Sequence, residues 1–281
     1  MKLLTPLLLL ASLVGCAGTS QGSSSNSNSS SSTGVNVAHQ PEDLSFCLAP
    51  AGIVLTDIAS VVDWINAMPK PLTLACFIAS LPRPLTYNAT VSTFSAQPSV
   101  GQENPRIFIN EDKLWLSFVP QERSLLIEDS VTGETSSIWD PDNIQLLELS
   151  YEVESNRLLQ QSIKAELAFP VLEQLPEKSP YEKVAMNNAR TGSICGDCHG
   201  SETIVDSIDD IPVFRSTMLR NKKSGEVSHG FLVNQYLSCD PAINTGSTSE
   251  NNEWYRCQML EAFLGQGSML WSSFPEEIST L

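Results

Sequence analysis

Gln145-Leu146-Leu147-Glu148-Leu149-Ser150-Tyr151-Glu152-Val153 alternates with period two. Successive side chains of a strand point to opposite faces, so Leu147, Leu149, Tyr151 and Val153 share one face while Glu148, Ser150 and Glu152 share the other. Residues 158–169 repeat the pattern, with Ile163, Ala165, Leu167 and Phe169 set against Lys164 and Glu166. The pair predicts an antiparallel sheet with one buried face and one wet face. Further period-two runs cover residues 86–94, 106–109, 113–118, 124–128 and 135–139, separated by turn residues such as Asn110-Glu111-Asp112 and Thr132-Gly133. Short, closely spaced strands with no recurring strand-helix alternation predict an antiparallel β-sandwich or jelly roll over residues 85–175.

On the N-terminal side the period changes. Ile58, Val61, Val62, Ile65 and Met68 follow helical spacing, with Thr56 or Asp57 as N-cap and Met68-Pro69-Lys70-Pro71 as the stop. A second apolar segment, residues 72–81, completes a predicted short helical hairpin within residues 41–84. Pro170, Pro176 and Pro180 mark the link to the C-terminal part. From residue 181 to 281 the pattern reads as helix and loop, with Val205, Ile208, Ile211 and Phe214 in mixed spacing and an amphipathic helix over residues 254–264. The fold class expected is mixed and mainly β.

The beginning of the chain reads as an address. Lys2 supplies a positive start, Leu3, Leu4 and Leu7 to Leu10 an apolar run, and Leu13-Val14-Gly15-Cys16 follows. Residues 1–15 are a signal peptide on this pattern. The last four residues resemble the bacterial lipobox. That resemblance implies diacylation of the Cys16 sulfur, cleavage before Cys16, and a stable membrane anchor. Ala17 in place of an Asp after the Cys implies sorting to the outer membrane, facing the periplasm or the cell surface. Residues 16–40 are mostly Ser, Gly and Asn, with few apolar groups to bury, and read as a disordered tether. A coil of that composition spans an r.m.s. distance of roughly 25 Å.

Charge narrows the partners. Of 281 residues, 32 are acidic and 16 basic, a net charge of -16. Without a Lys/Arg stripe to release counterions from phosphates, no nucleic-acid partner is expected. No Gly-x-Ser-x-Gly elbow is present and His is scarce, so no catalytic residue is assigned.

The remaining chemistry lies in cysteine. With Cys16 set aside, Cys47, Cys76, Cys195, Cys198, Cys239 and Cys257 form an even set in an oxidising compartment. Cys47 with Cys76 and Cys239 with Cys257 bracket local segments and read as disulfides. That leaves Cys195-Gly196-Asp197-Cys198-His199, which resembles the haem-attachment motif of c-type cytochromes. The resemblance implies a small cytochrome-c-like region, with haem c held through thioethers at Cys195 and Cys198 and iron bound by His199. For a second iron ligand His229 ranks first, with Met218 and Met269 as alternatives, and five-coordinate iron stays open; Met259 reads as core.

The function expected is electron transfer outside the cytoplasm by a membrane-anchored lipoprotein, with another redox protein as partner. A redox pair, a zinc site or an inert disulfide at Cys195 and Cys198 are the competing chemistries. The rival function is a non-enzymatic binding lipoprotein for a glycan or a protein, in which Cys195 and Cys198 form a structural or redox disulfide.

Overall fold

The structure is a computed structural model. It describes residues 42–91, 105–120, 124–128, 135–139, 145–153, 160–186, 192–220, 222–239 and 253–280. The signal peptide, Cys16 and the Ser-rich stretch lie outside these residues. No helix among the described residues is long and apolar enough to cross a membrane.

Among the described residues, a 3-10 turn (Leu44–Phe46) precedes helices α1 (Ile58–Ala67) and α2 (Leu74–Ser80). Strands β1 (Leu85–Thr90), β2 (Arg106–Glu111), β3 (Leu114–Phe118), β4 (Ser124–Glu128), β5 (Thr135–Trp139), β6 (Gln145–Val153) and β7 (Gln161–Phe169) follow. Next come α3 (Ser179–Val184), α4 (Gly196–His199), β8 (Thr203–Ile208), β9 (Ile211–Thr217), β10 (Leu219–Arg220), α5 (His229–Leu237) and α6 (Glu253–Leu260). Strands β11 (Met269–Trp271) and β12 (Ser279–Thr280) close the chain.

Local chemistry explains the helix ends. Asp57 and Ser60 form a reciprocal capping box at the start of α1, with Ser60 N donating to Asp57 Oδ1 at 2.8 Å and Asp57 N donating to Ser60 Oγ at 3.0 Å. The Lys70 ammonium donates to the carbonyls of Ile65 and Met68 at the other end. Thr73 Oγ1 caps α2 by accepting from Cys76 N at 3.0 Å. Both expected disulfides are present, Cys47–Cys76 across 29 residues and Cys239–Cys257 across 18. Closing loops of these lengths stabilises the fold by about 3–4 kcal/mol each.

The main sheet has eight strands in the order β11-β1-β2-β3-β6-β7-β9-β8, antiparallel throughout except where β11 runs parallel to β1. Strands β4 and β5 form a separate antiparallel pair, and β10 with β12 a short parallel one. The mainly β, antiparallel expectation holds, but the large sheet forms one layer where a two-sheet sandwich was expected. Its apolar face, with Leu85, Tyr87, Ile107, Ile109, Leu116, Phe118, Leu149 and Leu167, is buried in one core with Trp64, Ile65, Phe77, Ile78, Met259 and Phe263. Helices α1, α2 and α6 thus do what a second sheet would do.

Two sequence expectations change here. The segment after residue 181 is less helical than its mixed spacing suggested, because β8 and β9 form a hairpin on the end of the sheet and β11 joins the opposite edge. The hairpin turns at Asp209 and Asp210, both at positive φ (47° and 66°), the pairing that a two-residue turn between right-twisted strands requires. The second face is also not wet. Arg106, Ser117, Ser162, Lys164, Glu166 and Ser216 are all buried on it. A strand's alternation sets which way a side chain points and says nothing of what later covers it.

Candidate functional site

Two segments cover the polar face. Phe274, from the C-terminal stretch, stacks on Trp115 at 5.9 Å and meets Phe108 edge-on at 5.1 Å, forming a small second core with Met218 and Ile278. Beside it lies Cys195-Gly196-Asp197-Cys198-His199, which covers β6, β7 and β9.

A hydrogen-bonded relay shapes this second segment. Glu202 accepts from Ser193 N at 2.7 Å and from Ser193 Oγ, and Ser193 Oγ in turn accepts from Cys195 N at 3.1 Å. The carboxylate packs so closely under the loop that a Cβ on Gly196 would meet it at 2.7–2.9 Å. Cys198 N and His199 N both donate to the Cys195 carbonyl, closing the single turn of α4. Gly200, at positive φ, ends it and turns the chain into β8.

His199 is held by its Nδ1, 2.9 Å from the carbonyl oxygen of Thr217 on β9. A carbonyl only accepts, so Nδ1 carries the proton and Nε2 keeps its lone pair. Burial, and after it the Lys164 ammonium, bring His199 down to about 4. The imidazole is therefore neutral at pH 7. Neither Cys195 nor Cys198 is in a disulfide. Burial, then the Glu148 carboxylate, push the Cys195 thiol up to about 12, so it is no thiolate nucleophile.

Below the loop lies a network of charge. Arg106 grips Glu148 with both terminal nitrogens, Nη2 to Oε1 at 2.8 Å and Nη1 to Oε2. Burial alone would raise the Glu148 carboxyl; the charge and hydrogen bonds of Arg106, helped by His199 and Lys164, outweigh it and hold the group below the usual carboxylate range. Lys164 donates to Ser150 Oγ at 3.3 Å, and Ser150 donates to Ser162 Oγ at 2.6 Å. Burial brings Lys164 down to about 8 against the opposing pull of the Glu148 carboxylate. Ser216 Oγ, wholly buried beside Ser162, has no hydrogen-bond partner. The Glu148 side chain keeps 26% of its exposure, so solvent reaches this network.

The candidate second ligands are not gathered here. His229 begins α5, and its Nδ1 pairs with Tyr87 Oη, where Tyr87 packs against Phe263 on the apolar face. Strands β2, β3, β6 and β7 lie between β1 and β9. Met269 sits at the far edge on β11, its sulfur accepting from Arg83 Nη1 at 2.8 Å. Met218 follows Thr217 directly but is packed in the Trp115–Phe274 core. Among the described residues, the one cluster of three metal-ligand atoms is Glu42 with Cys47 and Cys76, whose sulfurs are already joined to each other. Zinc at Cys195 and Cys198 thus has no ligand set among those residues.

The donor set suits a covalent haem: two cysteines outside any disulfide and a neutral imidazole, fixed in tautomer, follow one another in the attachment order. The reading of the sequence missed Arg106, Glu148, Lys164, Ser193, Glu202 and Thr217. Their one signal was that Glu148 and Lys164 share the polar parity of neighbouring strands. No protein-family model, curated protein or solved structure matches the chain.

Proposed function

We propose that this chain is a lipid-anchored, c-type cytochrome-like electron carrier of the cell envelope, with Cys195 and Cys198 holding one haem and His199 binding its iron. The observation that carries the reading is the His199 Nδ1 bond to the Thr217 carbonyl, which fixes the ring and leaves Nε2 free to ligate. Bound there, haem supplies a one-electron iron couple. The chain does the rest: the Ser193–Glu202 relay presents Cys195, burial keeps His199 neutral, and Arg106 and Lys164 place positive charge under the loop.

In this reading Cys16 carries the acyl chains, the helical hairpin and the Ser-rich tether connect anchor to sheet, and residues 181–281 form the haem-bearing region. His199 is the one iron ligand assigned. His229 and Met269 would each have to leave their present partners and cross the sheet to reach it. The protein faces the periplasm or the cell surface, with another redox protein as its partner.

Expression in a host with the c-type maturation machinery should yield protein that keeps one haem mass after denaturation and acid extraction, since thioethers survive unfolding and iron ligation does not. Replacing His199 with Ala should retain or reduce attachment and lose the normal ligand field. No covalent mass increase in the competent host sinks the cytochrome reading. It would promote the binding-lipoprotein reading, which the partner-free Ser216 hydroxyl and the solvent-reached Glu148 favour as marks of a ligand site.

A further inference from the structure

Among the described residues, five large apolar side chains are at least 70% exposed: Phe46 (78%), Leu48 (73%), Leu237 (73%), Val54 (71%) and Leu172 (70%). Single exposed hydrophobics are ordinary, but four of these lie on segments that the fold ties together at the N-terminal end of the described chain. Phe46, Leu48 and Val54 lie within nine positions of sequence. Leu172 joins them through backbone pairing, because Val171 and Leu72 exchange hydrogen bonds of 2.8 Å while the adjoining Thr73 donates to Glu42 at 2.5 Å.

The exposure is imposed by the fold. Leu44 and Cys47 point inward and are buried, and the Cys47–Cys76 disulfide ties the segment to α2, so Phe46 and Leu48 are held outward on a pinned loop. Two nearby carboxylates are tied into the fold by hydrogen bonds. Glu42 accepts from Thr73 and from Gln258 Nε2 at 3.0 Å, and Asp43 caps the turn by accepting from Ser45 N at 3.0 Å.

We infer that this corner docks onto the surface of the membrane in which the protein is anchored, its apolar side chains inserting at the boundary between headgroups and acyl chains. The inference rests on the reading of Cys16 as the acylated residue. The Ser-rich stretch from Cys16 enters the fold at Glu42, beside Phe46 and Leu48, so an anchored molecule keeps this corner within reach of its own bilayer. At that effective concentration a contact too weak to recruit a soluble protein is sufficient. The four side chains offer no hydrogen-bonding group to a protein partner. Aliphatic and aromatic groups of this kind insert at the headgroup–acyl boundary, and a zwitterionic lipid surface suits the Asp43 and Glu173 carboxylates beside them because it carries no net charge to repel them. Docking would hold the sheet at a set orientation to the membrane.

The test uses the acylated full-length protein in phosphatidylcholine vesicles doped with a photoactivatable phosphatidylcholine, with adducts mapped by mass spectrometry. Adducts should concentrate on residues 44–54 and 170–173. They should fall about five-fold in the Phe46→Ser/Leu48→Ser/Val54→Ser variant, judged folded by its intact Cys47–Cys76 bond and circular dichroism. Fatty-acid labelling of the wild type reads the anchor separately. Labelled protein with adducts spread evenly, or confined to residues 17–41, overturns the docking and leaves the anchor standing. Unlabelled protein removes the anchor and the docking with it. If the Cys16→Ser chain sediments as a dimer and the triple variant as a monomer, the corner is a self-association surface and the membrane contact is overturned.

Discussion

On one face of the sheet Leu116, Leu149 and Ala165 stand side by side across β3, β6 and β7; one residue along, on the other face, Ser117, Glu148 and Glu166 do the same. Both rows are covered, by different means, and only Glu148 keeps appreciable contact with solvent. The apolar row is covered by helices and gains free energy from every Å² buried, about 25 cal/mol. The polar row must be desolvated, and only pairing offsets that cost: Arg106 with Glu148, Ser150 with Ser162, Lys164 with whatever charge is near. A covered polar face contributes little to stability, so its charged residues are better explained by what lies above them, the loop bearing Cys195, Cys198 and His199.

The comparison can be broken most directly on the apolar side. Phe77 is fully buried and lies 5.8 Å from Phe169, ring centre to ring centre. Phe77→Ala should cost about 3–5 kcal/mol in denaturant unfolding. A loss under about 1 kcal/mol would mean that the helix layer is not the main source of cohesion.

On the polar side, removing one partner should cost more than removing both. Arg106→Met should cost about 2–4 kcal/mol by stranding Glu148, whereas Arg106→Met with Glu148→Leu should return to within about 1 kcal/mol of wild type. Equal losses in the single and double variants would show that the pair is a net source of stability, and the contrast between the faces would fail.

Lys164 sharpens the contrast through pH. Its proton leaves near 8 in the folded protein and near 10.5 in the unfolded chain. Between those values the unfolded state binds more protons, so stability should rise with pH across the window, and the penalty is felt in full below it. Lys164→Met should abolish that rise and add on the order of 3 kcal/mol at pH 7. Unfolding curves of the two proteins from pH 7 to 10.5 read this directly, and parallel curves would refute it.

The smallest expected effect on stability belongs to Glu202→Ala, about 1 kcal/mol. Its effect on the loop should be larger, because the relay through Ser193 reaches Cys195. Alkylation of Cys195, in protein expressed without the c-type maturation machinery, should accelerate more than that of Cys198. Ser193→Ala should reproduce the change, and Glu202→Gln, which can still accept from Ser193 N, should largely restore the wild-type rate. Equal acceleration at both cysteines would assign the relay to general folding.

Much of this protein is written in short-range pattern. Period two located β2 to β7 within a few residues, Asp57 and Pro69 bounded α1, and local bracketing paired Cys47 with Cys76 and Cys239 with Cys257. These are properties of neighbouring residues: which side a strand residue faces, where a helix loses its donors, how small a loop a disulfide closes. The Cys195-x-x-Cys198-His199 motif belongs with them, as five consecutive residues. What only the tertiary structure decided is non-local. Nothing near Met269 tells that β11 will lie parallel to β1, and nothing near His229 tells that it will meet Tyr87 with most of the sheet between it and His199. Likewise Glu148 and Lys164 carry the alternation of a solvent-facing row, yet Lys164 is buried and Glu148 is mostly covered because α4 and the chain end fold over them. Pattern sets the direction of a side chain; whether that direction ends in water, in a helix layer or beneath a cysteine loop depends on strand order and cover. Those are chosen by burial summed over residues far apart in the chain.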